Sequence, residues 1–465
     1  MKTPIKLIIL IFISVMIFSS GCKKEDSAGQ APALTLQVNR FIKDAMDEYY
    51  LYKNKMPNID YRYELDSKEY FKKLLYKDDK WSFITDDIQS LENSFKGKEK
   101  TFGWSLAFGK FTGSEKVFGL VEFVYPNSPA DAAGMKRGDM IFKMNNADIS
   151  VANYTDLLNA DQVSISYGNY TTGTGNIQNV KTAQLTSEIM ELDPVQNSRI
   201  IEEGGHKIGY FLYTQFINEY TSSLDTLFQN FIAEGVTDVI VDLRYNPGGR
   251  IYSAQYLSSE LAPSANVSNN DILVYLQWND DLQDYYEQNA VVNQLEFRMF
   301  NTVPFKMNLD KIYFLTGFGT ASASELTIIG LMPYMDVITV GDTTYGKYTA
   351  SQTYRPEDIY EFEPESYYKD IDNWGVQPII ARYKNTENFT DFIYGLYPTI
   401  PVHDDITAGV PLGDTEDPVI NAAIEDITGS AVVAKKSSAI APYQLFDRGF
   451  SRYDRNKREL PLDRN

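Results

Sequence analysis

From about residue 200 onward the sequence alternates apolar, strand-like runs with amphipathic, helix-like stretches, and this alternation restricts the fold more than any other feature. Ile208–Leu212 reads as a strand, Tyr220–Ala233 as an amphipathic helix, and Val239–Leu243 and Lys311–Leu315 as buried strands. A helix begins at Ser322, and Val337–Val340 closes the run. Strands that alternate with helices build a largely parallel sheet whose faces are covered by the crossovers. A chain of 465 residues has room for two or three domains, each with its own core.

Ser322 lies in Gly319-Thr320-Ala321-Ser322-Ala323-Ser324-Glu325, and Lys347 lies downstream in Gly341-Asp342-Thr343-Thr344-Tyr345-Gly346-Lys347. The chain has only two histidines, His206 and His403, so a Ser-His-Asp triad would have to recruit one of them. A lysine does the same work when neutral, and apolar surroundings favour that state. Ser-Lys pairs are an accepted variant of the triad. On pattern alone, Ser322 is equally a helix N-cap, which serine fills well, and Lys347 is equally a solvated loop charge. His206 precedes a strand and His403 sits in a Pro-Val-His-Asp turn, so neither is assigned chemistry. Asp342, Glu325 and Asp242 are candidates to pair with Lys347 or to cap structure, and none suggests a metal.

Both segments, together with Val241-Asp242-Leu243-Arg244-Tyr245-Asn246-Pro247-Gly248-Gly249, resemble the C-terminal processing (tail-specific) serine peptidases. The three blocks occur in that family's order, and the serine-to-lysine spacing matches. The resemblance implies an α/β fold with a ClpP/crotonase-like catalytic core over residues 200–430. It implies Ser322 as nucleophile and Lys347 as general base, then general acid. The N–H groups of Gly249 and Ala323 would be the oxyanion donors. The family places a glutamine four residues after the lysine. Here that position is Ser351, and Gln352 follows it. Either a one-residue bulge brings Gln352 into the catalytic set, or Ser351 is its third member. The implied partners are polypeptides with exposed C-terminal tails, and no cofactor is implied.

Residues 87–190 differ in character. Ser128-Pro129-Ala130-Asp131-Ala132-Ala133-Gly134-Met135, leading into Lys136-Arg137-Gly138-Asp139, resembles the PDZ domains of bacterial proteases, here inserted ahead of the core. Such domains accept an extended peptide as an added strand and hold its terminal carboxylate on backbone N–H groups. The implied carboxylate loop is Phe102-Gly103-Trp104; the alternative is a domain that only packs against its neighbour. Upstream, Val38, Phe41, Ile42, Ala45, Met46, Tyr49 and Tyr50 mark one face of a helix. Residues 34–86 resemble the small helical domain of Bacteroidetes members of the family. Residues 431–465 are basic with little apolar periodicity and read as a loosely attached tail.

Residues 1–22 read as an export signal: Lys2 and Lys6, an apolar run from Leu7 to Phe18, then Ser19-Ser20-Gly21-Cys22. The run is short for a membrane span, which needs about 20 residues. Cys22, the only cysteine, reads as a bacterial lipobox residue that anchors the protein in the outer membrane, facing the periplasm or the cell surface. With that thiol lipidated, no disulfide is available. Two histidines and one cysteine also argue against a zinc site. A net charge of −20 argues against nucleic acid as a partner. Two rivals to a peptidase remain at this level. One is a catalytically inactive, peptide-binding surface lipoprotein. The other is a crotonase-like acyl-transfer enzyme, against which the export signal counts.

Overall fold

Apolar runs with few polar breaks make His206–Tyr213, Asp238–Asp242 and Lys311–Thr316 strands of a buried sheet. In the computed structural model, which describes residues 29–154, 160–171, 176–429 and 443–449, this sheet has six strands. Their order is Val195–Glu203, His206–Tyr213, Asp238–Asp242, Lys311–Thr316, Asp336–Gly341, Ile400–Pro401. The first pairing is antiparallel and the other four are parallel. The export segment, Cys22 and most of residues 431–465 lie outside the described residues.

Helices cover both faces. Thr221–Glu234 ends where Gly235 turns left-handed at φ 72°, and its Phe228 and Phe231 meet Phe211 of the sheet edge-on. The helix Ala323–Leu331 is buried at every residue. Pro418–Thr428, capped by Asp417, closes the opposite face.

A second sheet, antiparallel throughout, does not follow from the sequence reading. Its order is Glu296–Arg298, Ile272–Trp278, Ile379–Lys384, Thr349–Ser351. It packs on the helix Ala323–Leu331 so closely that a Cβ at Gly330 would lie 2.6 Å from Leu273 Cδ1. The strand Thr349–Ser351, just after Lys347, belongs to this sheet.

The N-terminal helix, Ala33–Tyr49, buries the face expected of it: Val38, Phe41, Ile42, Ala45 and Met46. These residues join the same apolar cluster as Phe211, Leu326 and Ile379. The helix of the 34–86 block therefore packs into the same core as the six-stranded sheet. Leu51 N–H donates to Ile379 O at 2.9 Å, and Tyr49 stacks on Tyr354 at 4.1 Å.

Residues 98–191 form a separate antiparallel unit with its own cluster, including Phe102, Leu106, Phe108, Val121 and Ile141. Its strands run in the order Trp104–Phe111, Val117–Val124, Asp139–Met144, Gln162–Thr171, Asn176–Thr186. Ser128 caps the short helix Pro129–Ala132 by accepting from Asp131 N–H. The free side of Trp104–Phe111 is taken by Tyr443–Gly449, which pairs with it antiparallel. Part of the segment expected to be loosely attached is thus an edge strand, because Tyr443 and Phe446 find aromatic partners there in Phe118 and Tyr154.

Where this unit meets the six-stranded sheet, charges are buried. Arg244 is wholly enclosed and pairs with Asp242 at 2.7 Å, Asp404 at 3.0 Å and Asp417 at 2.9 Å. Arg137, from the other unit, reaches the same Asp404 at 2.6 Å. This cluster fixes the chain immediately before Asn246-Pro247-Gly248-Gly249.

Candidate active site

Ser322 occupies the N-cap of the helix Ala323–Leu331 with φ 58° and ψ −113°. Positive φ is costly for a residue with a Cβ and persists only where neighbours enforce it. The enforcement is visible here. Ala321 N–H and Ser324 Oγ both bond to Asn246 O at 3.1 Å, while Thr320 Oγ1 donates to Leu243 O at 2.7 Å. The serine turn is thereby stitched to the segment that follows Asp238–Asp242.

That segment leans on the serine. A Cβ at Gly248 would lie 2.7 Å from Ala321 O and 2.8 Å from both Ala323 N and Ser322 Cβ, so only glycine fits. Gly248 N–H is already donated to Asn246 Oδ1 at 2.8 Å. Phe216 N–H bonds to Gly248 O and Arg250 N–H to Phe216 O, as in a parallel bridge, which turns the N–H of Gly249 to the other side. Among the described residues, neither Gly249 N–H nor Ala323 N–H has an acceptor. Ala323 N–H is also the first donor of a helix N-terminus, where the dipole favours negative charge.

Lys347 is half-buried, and two side chains tie its backbone to that of Ser322. Glu325 Oε2 accepts from Ser322 N–H at 3.0 Å and from Lys347 N–H at 2.8 Å. Its Oε1 accepts from Thr344 Oγ1 at 2.5 Å and from Gly346 N–H at 2.7 Å. Tyr383 Oη shares its one proton between Ser322 O at 3.1 Å and Lys347 O at 2.5 Å. The two candidate residues thus sit side by side, clasped by one carboxylate and one phenol. Burial pushes the Glu325 carboxyl up to about 7, against the pull of its four donors. A carboxyl raised in this way holds its proton more tightly folded than unfolded. Its contribution to stability is therefore full below the ordinary 4.5 and is lost as pH rises through about 7.

Of the acids considered for Lys347, only Glu325 reaches that residue in the bonds just described. Asp242 is taken by Arg244, and Asp342 faces His403 at 3.2 Å. Glu325 was legible as a potential cap, because Ser-x-x-Glu before an apolar run is a capping-box pattern. Tyr383 carried no local signal; it comes from the second sheet.

Gln352 is exposed, and its backbone N–H bonds to Pro378 O at 3.4 Å. The strand before it pairs Thr349 with Arg382, Ala350 with Ala381, and Ser351 with Ile379. The extra residue of this bulge is Ile380, in the partner strand, so alternation on the Lys347 side is undisturbed. Thr349 and Ser351 share a face, Gln352 takes the other, and both hydroxyls are enclosed with no hydrogen-bond partner among the described residues.

The expected carboxylate loop is tightly committed. Phe102 and Trp104 are buried, and Gly103 N–H donates to Thr101 Oγ1 at 3.0 Å. Gly103 has φ 78°, and a Cβ there would lie 2.1 Å from Ser128 Cβ. Substituting Gly103 would distort the loop itself and could not report on a ligand alone. Among the described residues, no group of three or more His, Cys, Asp or Glu side chains is placed to hold a metal ion, and no helix is long and apolar enough to cross a membrane.

Residues 207–382 match the family model of peptidase family S41, and residues 37–83 match that of the peptidase S41 N-terminal domain. A carboxyl-terminal-processing protease of Synechocystis is 23% identical over 319 residues, covering 67% of this chain and 66% of that protein. Carboxy-terminal processing protease CtpB of Bacillus subtilis is 25% identical over 315 residues, covering 64% of this chain and 60% of that one. The matches thus span just under two thirds of these relatives. The crystal structure of a candidate S41 protease from Bacteroides fragilis superposes with a TM-score of 0.64 at 25% identity, covering 84% of this chain and 97% of that one. The photosystem II D1 C-terminal processing protease shares the fold, with a TM-score of 0.50 at 19% identity and coverage of 86% and 99%. Over these segments the chain is similar to peptidase family S41 and to carboxyl-terminal processing proteases.

Proposed function

We propose that the protein is a serine endopeptidase, anchored through Cys22 to the bacterial outer membrane, that cuts exported or extracellular polypeptides with a Ser322/Lys347 dyad. The observation that carries this reading is the enforced left-handed Ser322 beside the two unpartnered N–H groups of Gly249 and Ala323. Neutral Lys347 removes the proton from Ser322 Oγ as that oxygen attacks the scissile carbonyl. The negative charge forming on the carbonyl oxygen is taken up by the two N–H groups, each worth roughly 10²–10³ in rate. Collapse of the tetrahedral intermediate expels the amine, which receives the lysine's proton, and water then releases the acyl group by the reverse sequence. Ser351, on the inward face of its strand, fits the role of steadying Lys347 better than exposed Gln352. Ser351→Ala should therefore cost more activity than Gln352→Ala; the reverse order in kcat would return the role to Gln352.

Glu325 should appear in the pH profile. As its carboxyl protonates below about 7, one oxygen becomes a donor and can no longer accept from both of its partners. Proteolysis should therefore fall on acidification through that range, with an ionisation separate from the loss of neutral lysine. Glu325→Gln should lower kcat by roughly 10–100-fold, the scale of losing one or two hydrogen bonds to a charged group, and should erase the Glu325 ionisation. A variant profile parallel to that of the parent would remove Glu325 from the site.

The 98–191 unit would serve as a PDZ-like tail reader, adding the end of a substrate as a strand. A loosely folded substrate ending in apolar residues should be cut faster than the same chain ending in charged ones. Equal rates would make the unit structural packing instead.

A further inference from the structure

The edge that a substrate tail needs is already occupied. In strand addition, the incoming peptide lies antiparallel to the strand that follows the carboxylate loop, with its C-terminal end directed at that loop. Trp104–Phe111 is that strand, and Tyr443–Gly449 lies along it in that orientation: Tyr443 opposite Phe111, Gln444 opposite Lys110, Leu445 opposite Gly109 and Gly449 opposite Leu106. The chain thus runs toward Phe102-Gly103-Trp104, as a bound tail would. Its apolar side chains use both faces of the sheet. Phe446 meets Tyr154 edge-on at 5.5 Å, and Tyr443 meets Phe118 at 5.3 Å and Tyr170 at 6.0 Å.

The docking is poised to be reversible. The register breaks between Leu445 and Asp447, Tyr443, Leu445 and Phe446 are only half-buried, and Asp447 takes a carboxylate to 1% exposure, which opposes docking even for a partnered charge. The strand also forms one wall of a cavity of about 380 Å³. Its lining also includes Phe318, Asp342 and His403, from the loops that lead to Ser322 and Lys347 and from their neighbour. A chain end that replaced the strand would lie along the catalytic loops.

We propose that Tyr443–Gly449 is an internal occupant of the substrate-tail edge, and that the partner this edge selects is an extended chain end patterned like the occupant, aromatic-x-Leu-Phe. This rests on the tail-reading role proposed above. It adds that the role is restrained: a substrate must displace a segment of the same chain. A tethered segment competes at an effective concentration on the millimolar scale. For an intrinsic affinity of about 0.1 mM, removing that competition strengthens tail binding roughly tenfold.

A reversible lock tests the idea in the full chain. Lys110 and Gln444 are direct partners across the two strands, at a separation that suits a disulfide, and Cys22 is the only native cysteine. In Lys110→Cys/Gln444→Cys, a fluorescent peptide ending in Tyr-Gln-Leu-Phe should bind at least tenfold more weakly when oxidised than after reduction. The ratio of kcat/KM for a substrate with that tail to kcat/KM for a short tailless peptide should fall in parallel. As a second variant, Tyr443→Asp/Phe446→Asp should bind the same peptide about tenfold more tightly than the parent. Equal binding by oxidised and reduced protein would overturn the occupant role while leaving the tail reading intact. Absence of binding in every form would overturn the tail reading, and this proposal with it.

Discussion

Ser322→Ala and Lys347→Ala should each reduce proteolysis of a loosely folded protein by at least about 10³-fold, because members of a nucleophile–base unit act together and their losses do not add. The double variant should be no worse than either single one. Thermal unfolding should barely move, since a half-buried hydroxyl and a half-buried ammonium stem contribute little packing. Ser322→Ala should also abolish labelling by a serine-directed fluorophosphonate. Substitution of both His206 and His403 should leave the rate largely intact, for His206 pairs with Asp238 at 2.8 Å and His403 with Asp342 at 3.2 Å. Full activity in either single dyad variant would discard the assignment. A rate lost in the double histidine variant would instead make histidine the base.

Arg244→Met should destabilise the fold by roughly 3–5 kcal/mol, the usual scale for removing one partner of a buried ion cluster. The arginine is wholly enclosed, and Asp242, Asp404 and Asp417 all converge on it. Without it, three carboxylates share a site with no guanidinium at its centre, and burial and mutual repulsion raise their affinity for protons. A carboxyl raised in the folded state stabilises at low pH and loses that contribution as pH rises. The variant should therefore recover part of its melting temperature when the pH is lowered from 7 to 5, a gain larger than the one Glu325 gives to parent and variant alike. Melting curves at the two pH values decide the matter: an unchanged parent-like melting temperature at pH 7 would mean that the cluster is not an energetic centre.

The parallel sheet was legible because its strands announce themselves locally: Val239-Ile240-Val241 and Ile312-Tyr313-Phe314-Leu315 are uninterrupted apolar runs bounded by helical periodicity. Ser322, Glu325 and Gly249 were legible for a similar reason, as a cap, a capping partner and a tight turn are short-range patterns. Tyr383 was not. Its hydroxyl acquires a role only through the pairing of Ile379–Lys384 with the three-residue strand Thr349–Ser351, a contact that no local periodicity encodes. The same limit applies to Tyr443–Gly449. Seven residues with Asp447 and Arg448 among them look like a polar tail until an open sheet edge, far away in the sequence, supplies their hydrogen bonds. Which face each of Ser351 and Gln352 takes depends on which strand carries the bulge, and spacing alone cannot tell one strand from its partner.

The N-terminal helix has a consequence for the order in which the molecule can be built. Its apolar stripe leaves the ribosome early, yet the surface that completes it includes Tyr354, Tyr360 and Ile379, from the last quarter of the chain. At ordinary rates of elongation, on the order of 5–20 residues per second, Val38, Phe41 and Met46 wait many seconds without their final neighbours. A nascent chain of this design exposes a sticky helix throughout most of its synthesis and needs a holding factor to mask it. Chains truncated before Ile379 should accordingly be cleaved by added protease within residues 33–49, whereas the complete protein should resist there.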